Sequence, residues 1–139
     1  MYGIWIKASV FFQFVFAFFH AITLFVTPTP KNETEKQLYN LMDTYQFDLG
    51  LGIHRTMNEL ILALSSCFSF LFILSGLISL FLIKKNCEVE MMKGILNIKL
   101  LVFGVFFIIT VLFTFIIPII QLALILVLLL LSRLALNKK

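Results

Sequence analysis

The chain has 139 residues, of which 61% are apolar and 13% are charged, with 17 phenylalanines and a mean hydropathy of +1.07. This composition excludes an ordinary soluble domain and predicts an integral membrane protein with room for four spans of about 20 residues each. The net charge of +4 is spread over the ends of the apolar segments, so it does not form a basic patch that would bind nucleic acid.

Four apolar segments follow one another along the chain. We predict spans at about residues 4–26, 56–83, 96–117 and 119–136. Pro118 separates the last two segments, which as one continuous helix would be roughly 50 Å long, so a tight hairpin is expected there. The predicted fold class is therefore all-α, an integral membrane four-helix bundle that forms a single membrane domain over residues 1–139.

The segment between the first two spans has a structure of its own. Pro28 and Pro30 end span 1, because proline lacks the amide donor that a continuing helix needs. Asn32 followed by Glu35 is typical of a helix N-cap with its capping-box partner. An amphipathic helix is predicted over about residues 33–47, and it either packs on its own bundle or forms a lid or docking surface. Its apolar positions are Leu38, Leu41, Met42, Tyr45 and Leu49.

Basic residues are unequally divided between the two ends of the spans. The end with both termini and the loop of residues 84–95 carries eight, and the other end carries three. The positive-inside rule then places both termini in the cytoplasm. The bias toward Phe, Ile, Lys and Asn is typical of an AT-rich bacterial genome, so the predicted location is the inner (cytoplasmic) membrane. The eight are Lys7, Lys84, Lys85, Lys93, Lys99, Arg133, Lys138 and Lys139, and the three are Lys31, Lys36 and Arg55.

The few polar residues of spans 1 and 2 lie on one face of each helix. Because a polar group in hydrocarbon is costly unless it is bonded, these two faces are expected to meet inside the protein. Small residues would let the helices approach closely, and span 4, a Leu-rich run, is expected to face lipid. The predicted helix-packing residues are Ser65, Ser69, Gly76 and Ser79.

Ionisable residues at the outer ends of spans 1 and 2 predict a polar pocket. Arg55 and Glu59 are four residues apart and so can pair along one helix, while His20 lies at a similar depth in span 1. Such groups are rare inside spans and mark proton handling or ligand binding, although a local ion pair also explains them. No catalytic residue, metal site or cofactor is predicted. The ligand-binding or proton-handling candidates are His20, Arg55, Glu59, Gln13 and Asn58.

The chain resembles small uncharacterised bacterial four-span membrane proteins at FFHAITLFVTPTPKNETEKQLYNLMDTYQFDLG and at HRTMNELILALSSCFSFLFILSGLISLFLIKK. This resemblance covers about residues 10–85 and implies no activity. The chain is more loosely similar to the sterol isomerase and sigma-2 receptor superfamily, also of four spans. There a polar residue of span 1 and a glutamate of span 2 line a lipid pocket, places that His20 and Glu59 would occupy. Spans 3 and 4 depart from that pattern, because they lack its further polar residues.

The sequence favours a small, non-catalytic accessory or interaction subunit of a larger inner-membrane complex. One featureless span and little mass outside the membrane leave broad apolar surface for partners and few groups for catalysis. The expected partners are membrane lipids and other membrane subunits or further copies of the chain, without nucleic acid. Two alternatives stay open: a lipid- or sterol-type binding protein or isomerase with a pocket between spans 1 and 2, and a proton-coupled transporter, which needs polar residues at mid-depth on several spans.

Overall fold

The computed structural model describes residues 2–26 and 28–137, except the side chain of Tyr2. This part of the chain forms five helices and two short strands, and 81% of its residues are helical. Four helices are long and apolar enough to cross a membrane, which confirms the all-α membrane class with four spans and a short helix in the first loop. The elements are α1 (Tyr2–Thr23), α2 (Glu33–Thr44), β1 (Gln46–Asp48), β2 (His54–Thr56), α3 (Met57–Lys84), α4 (Val89–Phe113) and α5 (Ile116–Asn137).

The third spanning helix starts earlier than the sequence suggested, at Val89 rather than at about residue 96. An ion pair of 2.7 Å between Lys93 and Glu90 spans its first turn, so a polar first turn continues directly into the apolar helix. The tight hairpin is confirmed, since α4 ends at Phe113 and α5 begins at Ile116. Pro118 falls in the first turn of α5, where a missing amide donor leaves no helical bond unmade.

The hydrophobic core lies in a compact unit formed by the residues up to Ala17 together with those from Leu71 onward. All four long helices contribute to it, and α4 packs along α5. The prediction that span 4 is only a lipid-facing wall is wrong, because one face of α5 is buried. The middle of this helix, residues 122–131, is wholly apolar and so has no polar stripe from which that face could be identified. The buried apolar residues of α5 are Leu122, Ile125, Leu128, Leu129 and Leu136.

Residues 18–70 form a second compact unit, which contains α2 and a β-hairpin that the sequence analysis did not predict. The strand β1 pairs antiparallel with β2, with Phe47 opposite Arg55. The turn is built by Gly50 and Gly52, whose φ angles are 84° and 76°, and the carboxylate of Asp48 accepts the Gly50 amide at 2.8 Å. The predicted helix over residues 33–47 therefore ends at Thr44, and residues 46–48 form a strand instead.

The N-terminus of α2 is capped as predicted. The Asn32 side chain accepts the backbone N–H of Glu35 at 2.8 Å. The Glu35 carboxylate in turn accepts the backbone N–H of Lys31 at 2.6 Å, one residue before the position that a standard capping box would use. These bonds fix the start of α2 in the first loop, the segment between α1 and α3.

Candidate functional site

The predicted ion pair between Arg55 and Glu59 is not formed. Arg55 lies in the strand β2 and donates to the carbonyl of His54 at 2.9 Å, whereas Glu59 lies in the first turn of α3. The Glu59 carboxylate accepts the backbone N–H of Thr56 at 2.8 Å, and the Thr56 hydroxyl accepts the backbone N–H of Glu59 at 3.3 Å. This is a capping box, so Glu59 starts α3 instead of neutralising Arg55. The predicted ion pair requires one helix that contains both residues, whereas Arg55 lies in the β-hairpin that precedes α3.

The capping box predicts that substitutions at two neighbouring residues, Thr56 and Arg55, have different effects on stability. We expect Thr56→Ala to lower the free energy of unfolding in detergent by about 1 kcal/mol, because the first turn of α3 loses a cap. Arg55→Ala is the matched control and should change it by less than about 0.5 kcal/mol, because Arg55 is exposed and bonds only a neighbouring carbonyl. Chemical denaturation of the two variants measures both values. A larger loss for Arg55→Ala would contradict this assignment.

His20 is half-buried and binds deeper along α3 than Glu59. Its Nε2–H donates to the carbonyl of Ser65 at 3.2 Å, and its ring lies edge-on to Phe68 with centroids 6.4 Å apart. Ser65 follows Glu59 by six residues, a rise of about 9 Å along a helix. The described hydrogen bonds therefore do not assemble His20, Arg55 and Glu59 into one pocket. Whether a small molecule binds between the first two spans stays a prediction.

Asn58 has a structural contact that the sequence analysis did not anticipate. Its side-chain amide donates to the carboxylate of Asp43 in α2. This bond ties the end of α2 to the first turn of α3, and α2 also contacts the strand β2. Asn58 thus joins the end of α2 to the start of α3 within the compact unit of residues 18–70.

The predicted helix-packing residues occupy interior positions on α3. Ser69 is 6% exposed and Ser79 is 3% exposed, while Ser65 is half-buried. At Gly76 an added Cβ would lie 3.0 Å from the ring of Phe14, so a side chain of α1 packs directly on this glycine. Gly76 therefore provides the space on α3 that the ring of Phe14 occupies.

Lys99 is the residue that sequence reasoning placed wrongly. It was counted among the basic residues at the span ends, but it lies ten residues, about 15 Å, beyond the start of α4. It is 6% exposed, and among the described residues it is the only ionisable side chain in the buried class. Its ammonium donates to the carbonyl of Ser75 and to the hydroxyl of Ser79 on α3. No carboxylate of a described residue lies within ion-pair distance of it.

Gln13 of α1 is a second buried polar residue of the core unit, as we call the compact unit formed by the residues up to Ala17 and from Leu71 onward. It is 0% exposed, and its amide donates to the Ser9 hydroxyl at 2.9 Å, whereas its carbonyl oxygen has no partner among the described residues. Gln13 precedes Phe14, whose ring lies against Gly76, so it reaches the level of Ser75 on α3. The Ser75 hydroxyl is likewise buried without a described partner.

The helix α5 adds a further polar side chain at this level. Ser132 is 0% exposed and donates to the carbonyl of Leu128 at 2.7 Å. A bond of 2.8 Å from Arg133 to Asn97 sets this turn of α5 beside the turn of α4 that carries Lys99. Each spanning helix thus supplies polar residues to one level of the core. We call this set the interior polar layer: Gln13, Ser75, Ser79, Lys99 and Ser132.

Buried polar side chains are therefore not confined to spans 1 and 2, since Lys99 and Ser132 belong to α4 and α5. An earlier start for the third span would have revealed the position of Lys99, because residues 94–98 before it are apolar except for Asn97. Leaving Lys99 out of the basic residues at the span ends changes the charge count of the two ends from eight against three to seven against three. The remaining excess has the same sign, although Lys138 and Lys139 lie outside the described residues.

Comparisons of the chain with protein-family models, with curated proteins and with solved structures find no match. Within residues 2–26 and 28–137, no three His, Cys, Asp or Glu side chains are grouped as ligands for a metal ion. The candidate sites that the geometry offers are thus the interior polar layer and the exposed surface of the first loop.

Proposed function

We propose that the protein is a small interaction subunit of a larger assembly in the inner membrane, with both termini in the cytoplasm. The observation that carries this proposal is the apolar surface of the first loop. No described residue of α2 is buried, and Leu38 and Leu41 are 51% and 57% exposed. At the tip of the hairpin Leu51 is fully exposed. These residues lie outside the spanning helices, so the hydrocarbon that covers the spans does not account for them.

The charges of α2 favour a protein partner over the membrane surface. Helices that lie flat on a membrane usually carry lysine and arginine on their polar face. By contrast, α2 carries three acidic residues, Glu33, Glu35 and Asp43, and one basic residue, Lys36. An apolar stripe bordered by carboxylates fits a groove on another membrane subunit, or on another copy of the chain, that is rimmed by basic groups.

The size of the complex extracted from native membranes tests this function. In mild detergent, the intact protein should migrate with its partners, well above its own 16.0 kDa plus detergent. The double substitution Leu38→Glu/Leu41→Glu should shift most of the protein to the monomer, because it places two charges in the buried interface. The control Gln37→Glu/Asn40→Glu adds the same charge at exposed polar positions of α2 and should leave the complex intact. Monomeric wild-type protein, or equal loss in both variants, would refute the proposal.

Proton handling by the interior polar layer is a second candidate function. Lys99 favours it, because an ammonium that is buried in a span without a carboxylate partner is costly to keep and marks ion or proton pathways. The unpartnered oxygens of Gln13 and Ser75 add acceptors at the same level of the core. The substitution Lys99→Met separates this role from a structural one.

A further inference from the structure

A cavity of about 310 Å³ lies between the start of α1, the end of α3 and the turn that precedes α4. All of its lining residues belong to the core unit. One part of the wall is polar and the other part is apolar. The polar part includes Lys7, Asn86 and Cys87, and the apolar part is formed by Leu82, Ile83 and Met92.

The surroundings of this cavity carry an excess of positive charge. Lys7 lines it, and Lys84 and Lys85 stand on the turn that closes α3. None of these three lysines forms an ion pair within the described part of the chain, whereas Lys93 is engaged with Glu90 at 2.7 Å. Glu88 is the one nearby carboxylate left without such a pair, so the local balance stays positive.

The position of the cavity near the ends of spanning helices favours a lipid as its ligand. Lys84 is the last residue of a spanning helix, and Lys85 follows it, which is where the phospholipid headgroups begin. A ligand here would meet the Lys7 ammonium group, the Asn86 amide and the aliphatic side chains of Leu82 and Ile83. An anionic phospholipid carries both matching parts, a phosphate with its polar headgroup and acyl chains joined through glycerol.

We propose that this cavity binds the headgroup of an anionic phospholipid. Lys7 and the Asn86 amide contact the phosphate, Lys84 and Lys85 add to the positive field, and the first acyl carbons lie against Leu82 and Ile83. This site shares no residue with the protein interface proposed for the first loop, so either proposal can fail without the other.

Purified protein in neutral detergent, titrated with short-chain phosphatidylglycerol, tests the site. The same titration uses phosphatidylcholine of equal chain length, and inorganic phosphate forms a third arm. Phosphatidylglycerol should raise the midpoint of thermal unfolding by about 5 °C near saturation, since a ligand that binds only the folded state stabilises it. Phosphatidylcholine and inorganic phosphate should each give less than a third of that shift. Equal shifts for both lipids, or a full shift with inorganic phosphate, would overturn the proposal.

Two variants and a control distinguish the cavity from general charge attraction. Lys7→Gln should weaken phosphatidylglycerol binding about fivefold, as expected for the loss of one lysine at a membrane surface. Cys87→Trp should weaken it at least as much by filling the cavity at unchanged charge. Lys31→Gln removes an exposed lysine of the first loop and should leave binding unchanged. Equal weakening by Lys31→Gln, or full binding by Cys87→Trp, would show that the cavity is not the site.

Discussion

Replacing Lys99 with methionine is expected to raise the thermal stability of the protein in detergent. The ammonium is 6% exposed and has two oxygen acceptors on α3, but no carboxylate partner among the described residues. Replacing even a buried ion pair with apolar side chains of similar volume is often neutral or stabilising, by about 1–4 kcal/mol, and a lone ammonium lacks the attraction of a partner charge. The Ser79 hydroxyl that loses its partner can turn to the Ser75 carbonyl four residues earlier, as Ser132 does toward Leu128 at 2.7 Å.

Two further substitutions control for volume and for the loss of a lysine as such. Lys99→Ala removes the same charge but leaves a void between α3 and α4, so it should be less stable than Lys99→Met by about 2 kcal/mol or more. Lys31→Met removes an exposed lysine of the first loop and should leave the unfolding midpoint unchanged. If Lys99→Met were as unstable as Lys99→Ala, the two hydrogen bonds of the ammonium would outweigh its desolvation, and Lys99 would be a structural residue.

The same variant shows whether the interior polar layer handles protons. A residue that destabilises the fold is expected to serve function, because functional sites commonly reduce stability. In vesicles that enclose a pH-sensitive dye, the wild-type protein should dissipate an imposed pH gradient, and the more stable Lys99→Met protein should not. Equal rates for wild type, Lys99→Met and empty vesicles would refute the proton-handling candidate.

The four spanning helices could be predicted because a bilayer fixes the length of an apolar helix. Pro118 identified the tight hairpin between the last two helices, and the polar faces of the first two spans identified Gln13, Ser69 and Ser79 as interior residues. Both inferences depend on local pattern and on the cost of polar groups in lipid. Neither requires knowledge of which helices are neighbours.

The errors share a physical origin, since each concerned contacts between residues distant in sequence or the exact start of a helix. The pairing of Phe47 with Arg55 across the hairpin is a tertiary choice, and it moved Arg55 out of the helix that the ion pair with Glu59 required. Lys99 was misplaced because a boundary error of seven residues in α4 moves a side chain about 10 Å relative to the start of the helix. The two acceptors of Lys99 on α3, the Ser75 carbonyl and the Ser79 hydroxyl, are not apparent from the sequence around Lys99.

Gly76→Leu is expected to be the most damaging single substitution in the core unit. A Cβ at this position would lie 3.0 Å from Cζ of Phe14, and a leucine places three further carbons in the same space. In a packed core such excess volume typically costs about 1–3 kcal/mol or more. Because helix association in lipid depends on close packing, α1 and α3 would be forced apart where they carry polar side chains inward. The loss of folded protein on detergent extraction and the unfolding midpoint measure this effect.

Gly104 supplies the matched control, because it also lies within a spanning helix but has no atom within 4 Å of an added Cβ. Gly104→Leu should therefore retain the wild-type midpoint or exceed it slightly, since leucine favours helix more than glycine does. Adding Phe14→Ala to Gly76→Leu removes the ring that the leucine meets, so the double variant should recover part of the lost stability. If Gly76→Leu and Gly104→Leu were equally stable, Phe14 would have room to move aside, and close packing at Gly76 would not be what holds α1 against α3. If Gly76→Leu alone were unstable but Phe14→Ala gave no recovery, the clash would involve groups other than this ring.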